Sequence, residues 1–153
     1  MPHRQANTVY MNSTLFTPAV NPPQLLLPLY GHRIPAGFPS PAADYIESAI
    51  DLNELLVRDP KSTFFLRVQG ESMRDAGILD GSVVIVEGGL SPMPGDIVVA
   101  EVNGEFTLKR LRRVRGLYEL HPENPDYNVI RIPEGGELRI LGVVTGTVTQ
   151  LRR

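Results

Sequence analysis

Two side chains, far apart in the chain, are of types that could together do covalent chemistry. Ser72 stands in Gly70-Glu71-Ser72-Met73, just past the apolar-alternating run 64–69, where a strand would end. A hydroxyl at a tight strand end is a common position for a nucleophile, although most serines after a glycine simply sit in turns. Such a hydroxyl needs a base, usually histidine. The chain has three histidines. His3 and His32 fall in a proline-rich amino-terminal stretch, and His121 opens the turn-like run His121-Pro122-Glu123-Asn124-Pro125. All three read as exposed or turn histidines. None has a second histidine at i+2 or i+4, and there is no cysteine, so neither a metal centre from these histidines nor a disulfide is expected. The remaining base is a lysine. Lys109, one of two lysines in the chain, lies mid-strand in Phe106-Thr107-Leu108-Lys109-Arg110-Leu111, with Thr107 and Leu111 on its face. A lysine titrates near ~10.4 and serves as a base at neutral pH only where burial depresses that value. A mid-strand lysine more often reaches outward to water.

The elements that must position these residues divide the chain in two. Residues 1–43 contain no acidic side chain and are broken by Pro22-Pro23, Pro28, Pro35, Pro39 and Pro41, which preclude a continuous helix and interrupt strand ladders. This segment reads as an extended arm, with Met11 offering a second possible start. Residues 44–153 read as one β-rich domain. Asp51 followed three residues on by Glu54 is a capping-box pattern, so Leu52, Leu55 and Leu56 line one face of a short helix that Asp59-Pro60 ends. From Phe64 onward the alternation predicts strands at 64–69, 83–87, 96–102, 105–114, 117–121, 128–132 and 138–148. Asn103-Gly104 is the strongest hairpin signal. The expected fold is all-β: a curled, partly closed antiparallel sheet with an extended N-terminal arm and one short helix.

Composition narrows the function classes. At 153 residues the chain suits one ordinary domain with a core, and 42% apolar with 21% charged residues fits a globular protein. No apolar run approaches the ~18–20 residues of a membrane span, and no charged-then-apolar leader precedes Leu25-Leu26-Leu27, so a cytoplasmic protein is expected. A net charge of −2 argues against strong direct DNA binding by counterion release. The basic run Lys109-Arg110-Leu111-Arg112-Arg113 alternates its charges between two faces.

Six short motifs, collinear and evenly matched in spacing, carry a resemblance. They are 37–45, Ile50-Asp51-Leu52-Asn53, Gly70-Glu71-Ser72-Met73, Gly95-Asp96-Ile97, Gly104 to Lys109, and Pro122-Glu123-Asn124. From about Ala36 to Val144 the chain resembles the UmuD branch of the LexA/UmuD family of self-cleaving Ser–Lys peptidases. That resemblance implies Ser72 as nucleophile, Lys109 as general base, and Ala36-Gly37 in the chain's own arm as the scissile bond. Small residues flank that carbonyl and Pro35 and Pro39 keep it extended, which suits a substrate segment. Backbone N–H groups of Glu71 and Ser72 are the implied oxyanion donors. Ala36 stands where UmuD proteins often carry cysteine, as in LexA-like sites. The family further implies a homodimer, a UmuC-like Y-family DNA polymerase as partner, a RecA–single-stranded-DNA filament as activator of cleavage in the SOS response, and no cofactor. Two other readings stand beside this one. One is a LexA-like repressor fragment, disfavoured because the prolines before Ala36 leave no room for a helix-turn-helix domain. The other is a dimeric polymerase-binding scaffold that does not cleave.

Overall fold

A computed structural model describes residues 15–16, 18, 21–30, 34, 36–37 and 46–152. Ten strands and one α-helix are described. The strands are β1 (Leu15–Phe16), β2 (Leu27–Tyr30), β3 (Ile46–Ile50), β4 (Thr63–Arg67), β5 (Val83–Glu87), β6 (Ile97–Val102), β7 (Glu105–Val114), β8 (Leu117–His121), β9 (Ile130–Arg131) and β10 (Arg139–Val148). The helix α1 spans Leu52–Leu56 and a 3-10 turn spans Arg74–Ala76. The all-β expectation holds, and the seven strands predicted after Phe64 are found within two residues of their expected starts and ends.

Eight strands form one sheet in the order β1-β4-β5-β10-β6-β7-β8-β9, and β2 and β3 form a separate antiparallel pair. Every pairing is antiparallel. The hairpins follow local chemistry. Asn103 and Gly104 both take positive φ, 51° and 80°, the type I′ geometry whose twist matches its flanking strands β6 and β7. Arg115-Gly116 repeats that geometry between β7 and β8 with φ of 51° and 81°, although arginine gives little hint of it in sequence.

The central strand β6 is buried on both faces. Val99 packs with Met73, Ile78, Val84 and Val86, whereas its neighbours Val98 and Ala100 pack with Leu111, Leu120 and Val143. Alternation therefore assigns the two core clusters to opposite sides of the sheet. The sheet curls without closing. Residues of β4 and β7, separated in strand order by β5, β10 and β6, line one cleft.

The arm contributes more structure than its prolines suggest. β1 adds to the outer edge of β4, pairing Leu15 with Leu66 and Phe16 with Phe65. β2 holds Pro28 inside a strand, which a two-stranded sheet tolerates because each strand has a free edge for the missing donor. Asp51 is the N-cap of α1 as expected, accepting a hydrogen bond from the Asn53 N–H at 2.9 Å, while the reciprocal Glu54 bond of a capping box is not found among the described residues. Its second oxygen accepts from Leu25 N–H at 3.2 Å, tying the arm to the helix start. The helix buries none of its leucines fully, and Leu52 and Leu55 are exposed.

Candidate active site

The loop after β4 is built to hold one residue out of the core and the next one in it. Gly70 takes φ of 97°, a conformation that a side chain would strain, and its N–H is held by Asp80 Oδ1 at 2.8 Å. Ser72 follows, half-buried. Met73 then turns inward and is 1% exposed within the first core cluster, so the loop is anchored one residue beyond the hydroxyl. The 3-10 turn Arg74–Ala76 ends on Gly77, in the left-handed region.

Lys109 comes from the middle of β7 and meets this loop. Its Nζ lies 3.0 Å from Ser72 Oγ, 2.9 Å from Thr107 Oγ1 and 3.0 Å from the Leu108 carbonyl oxygen. The side chain is buried, at 8% exposure, and burial pushes its ammonium below the usual lysine range. This set of partners can be satisfied by either protonation state of the amine. As the ammonium, Nζ donates to all three oxygens; once neutral, it can keep two N–H bonds to Thr107 Oγ1 and the Leu108 carbonyl and turn its lone pair to the Ser72 hydroxyl proton. The pair sits in a cleft of about 360 Å³ whose walls include Leu66, Val68, Gln69, Phe106 and Leu108.

A second segment reaches the same loop from the far side. Glu123 N–H donates to the Ser72 carbonyl at 2.8 Å, and Asp75 N–H donates to the Glu123 carbonyl at 2.8 Å. Asn124, 4% exposed, donates from Nδ2 to the Glu71 carbonyl at 2.8 Å. Arg110, next to Lys109 on β7, pairs through Nε with the Glu123 carboxylate and donates from Nη1 to the Gly95 carbonyl at 2.7 Å. Among the described residues no hydrogen bond takes up the N–H of Glu71 or of Ser72.

The structure thus brings Ser72 and Lys109 together. Ala36 and Gly37 occupy an exposed bend, and the cleft is lined by residues of 66–109, with neither of them among its walls. His121 closes β8 rather than lying in a turn, and its Nε2 bonds to Glu119 at 2.6 Å. His3 and His32 lie outside the described residues. Sequence reasoning placed Thr107 on the face of Lys109 without giving it a part, although alternation alone sets an i−2 hydroxyl beside the amine. It gave Arg110, Glu123 and Asn124 no part at all. Pro122-Glu123-Asn124 was visible only as a motif, since a contact such as Asn124 with Glu71, 53 positions earlier, has no local signature.

A curled β domain with a hydroxyl and a buried amine meeting in an open cleft has the make-up of a peptidase. The comparisons with known proteins agree. The chain belongs to the family described as Peptidase S24-like, whose profile matches residues 28–145. It is 46% identical over 138 residues to Protein SamA of Salmonella typhimurium, covering 90% of this chain and 96% of that protein. It is 45% identical over 125 residues to Protein MucA of Escherichia coli, covering 81% and 85%. A LexA repressor of Paracidovorax citrulli is 41% identical over 125 residues, 82% of this chain but 55% of the repressor. The resemblance to the UmuD and LexA proteins is borne out, and family membership supports a self-cleaving peptidase in general.

Proposed function

We propose that the chain cuts its own Ala36-Gly37 bond with Ser72 as nucleophile and Lys109 as general base. The observation that carries this reading is the 3.0 Å approach of Lys109 Nζ to Ser72 Oγ, made by a buried amine whose other two partners are acceptors.

The chemistry runs as two acyl transfers. Neutral Lys109 Nζ takes the Ser72 hydroxyl proton as Oγ attacks the Ala36 carbonyl carbon, forming a tetrahedral oxyanion. The N–H groups of Ser72 and Glu71, unengaged among the described residues, are the donors for that oxyanion. The intermediate collapses as Lys109 returns the proton to the Gly37 nitrogen, which leaves as an amine. Water, deprotonated by Lys109, then releases Ala36 as a carboxylate and restores Ser72. Because substrate and dyad share one chain, effective concentration substitutes for tight binding. The exposed bend at Ala36 and Gly37 must travel into the cleft before any of this begins, which makes resting cleavage slow and gives an activator something to do.

In this reading residues 1–36 are the released arm, and 37–153 is a dimeric accessory subunit of a UmuC-like Y-family polymerase. A RecA–single-stranded-DNA filament promotes the cut in the cytoplasm during the SOS response. The support is the family and its UmuD-like relatives. Among the described residues no helix is long and apolar enough to cross a membrane.

Purified chain held at pH ~10, where more lysine is neutral, is expected to release a fragment beginning at Gly37. Ser72→Ala and Lys109→Ala should each abolish it. Release at the wild-type rate in either variant, read by N-terminal sequencing, would sink the dyad.

A further inference from the structure

Asn124 has the exposure of a core residue and the chemistry of a surface one, and what it touches is the backbone beside Ser72. Its Nδ2 donates to the Glu71 carbonyl at 2.8 Å, while its own Oδ1 accepts from Asp126 N–H at 3.0 Å, which fixes the orientation of the amide. The Glu71 carbonyl and the Ser72 N–H belong to one peptide unit. A planar trans peptide sends these two groups in opposite directions, so holding the carbonyl aims the N–H. The next unit is held in the same way, because Glu123 N–H binds the Ser72 carbonyl at 2.8 Å. The Cα of Ser72 is thus suspended between two pinned peptide planes, with its N–H directed away from the 122–124 segment.

We infer that Asn124 is a positioning residue for the reaction proposed above: by holding the Glu71 carbonyl it aims the Ser72 N–H at the oxyanion. The inference rests on the reading of Ser72 as the nucleophile. It explains why a buried asparagine is spent on a loop carbonyl, since an unheld peptide unit there could rotate and turn its donor out of line. The Arg110–Glu123 pair extends the arrangement to β7. The strand that carries the base therefore also braces the segment that orients the nucleophile loop.

The test uses the full chain and two uncharged replacements that lack the reach or the donor, Asn124→Leu and Asn124→Ser. Self-cleavage is followed as a function of pH, beside inhibition by a peptide boronate ending in boro-alanine. The boronate forms a tetrahedral adduct with a serine hydroxyl and sets an oxygen where the oxyanion would lie. Misaiming one oxyanion donor is expected to slow cleavage about 100-fold at every pH, leaving the midpoint of the pH profile in place. The boronate inhibition constant should weaken by a comparable factor, which a loss of fold stability alone would not reproduce in chains that remain native in thermal melts. Should Asn124→Leu fail to fold, Asn124→Ser decides by the same two readings. Wild-type cleavage rates, or slowed cleavage with undiminished boronate inhibition, would overturn the inference. If Ser72→Ala cleaves like wild type, the underlying reading falls first and takes this one with it.

Discussion

The lysine at the centre of the site is also a strain on the fold. Burial holds the Lys109 ammonium below the ordinary lysine range, so between its folded and unfolded values the unfolded chain binds more protons. Stability therefore rises with pH across that window, and below it the buried charge works against folding. Lys109→Met keeps the volume without the charge. At neutral pH this variant is expected to melt at a higher temperature than wild type, with a shallower gain in stability between neutral and alkaline pH. Equal melting temperatures at pH 7 would mean that water reaches the amine well enough to remove the penalty. In the proposed reaction the same desolvation would serve the chemistry, because a depressed lysine spends more of its time as the neutral base.

At the scale of elements, the long strand β10 joins the two halves of the sheet, pairing with β5 along one edge and β6 along the other. Its register shifts between Ile140 and Gly142 against β6, and between Val144 and Gly146 against β5. Bulges of this kind increase local twist and help the sheet to curl. Gly142 sits where a Cβ would meet Val86 Cγ1 at 2.6 Å and the Glu87 carbonyl oxygen at 3.0 Å, too close for a side chain. Gly142→Ala is expected to cost about 1–3 kcal/mol, the range for overpacking a filled site. Urea denaturation would read this as a lower midpoint at unchanged slope. The curl that β10 imposes is also what brings β4 and β7 to one cleft, so a Gly142→Ala chain that folds should cleave itself more slowly.

For the molecule as a whole, the described part of the arm meets the domain through strand pairing and one helix cap rather than through the core clusters. Among the described residues β1 contributes two paired residues to the outer edge of β4, β2 pairs with β3, and Leu25 N–H binds Asp51. The core clusters, among the described residues, draw on β4 to β10 and the loops between them, and none of their members precedes Phe64. A chain beginning at Gly37 is accordingly expected to keep a β-type circular dichroism spectrum and to melt cooperatively. A broad, non-cooperative melt would show that β1 and β2 hold the domain together. The proposed cut would leave both the β4 edge and β3 without the strands that pair with them here, and would remove the Leu25 N–H from Asp51, so product and precursor differ at all three places.

The sequence alone determined the strands from β4 to β10, because side-chain alternation and turn residues such as Asn103-Gly104 act over a few positions. It also determined the cap on α1, since Asp51 and Asn53 are two residues apart, and it singled out Ser72 and Lys109 as the residue types able to do chemistry. It left β1, β2 and β3 unread, because short strands in proline-rich or unpatterned sequence exist only by virtue of partners elsewhere. Tertiary structure decided that Lys109 is buried rather than reaching to water, since its surroundings come from the curl of the sheet and not from its neighbours in β7. It decided the meeting of that amine with Ser72, 37 positions away. It alone placed Asn124 and Glu123 behind the nucleophile loop, because the direction of a peptide N–H depends on what holds the carbonyl on its other side, and that holder is distant in sequence.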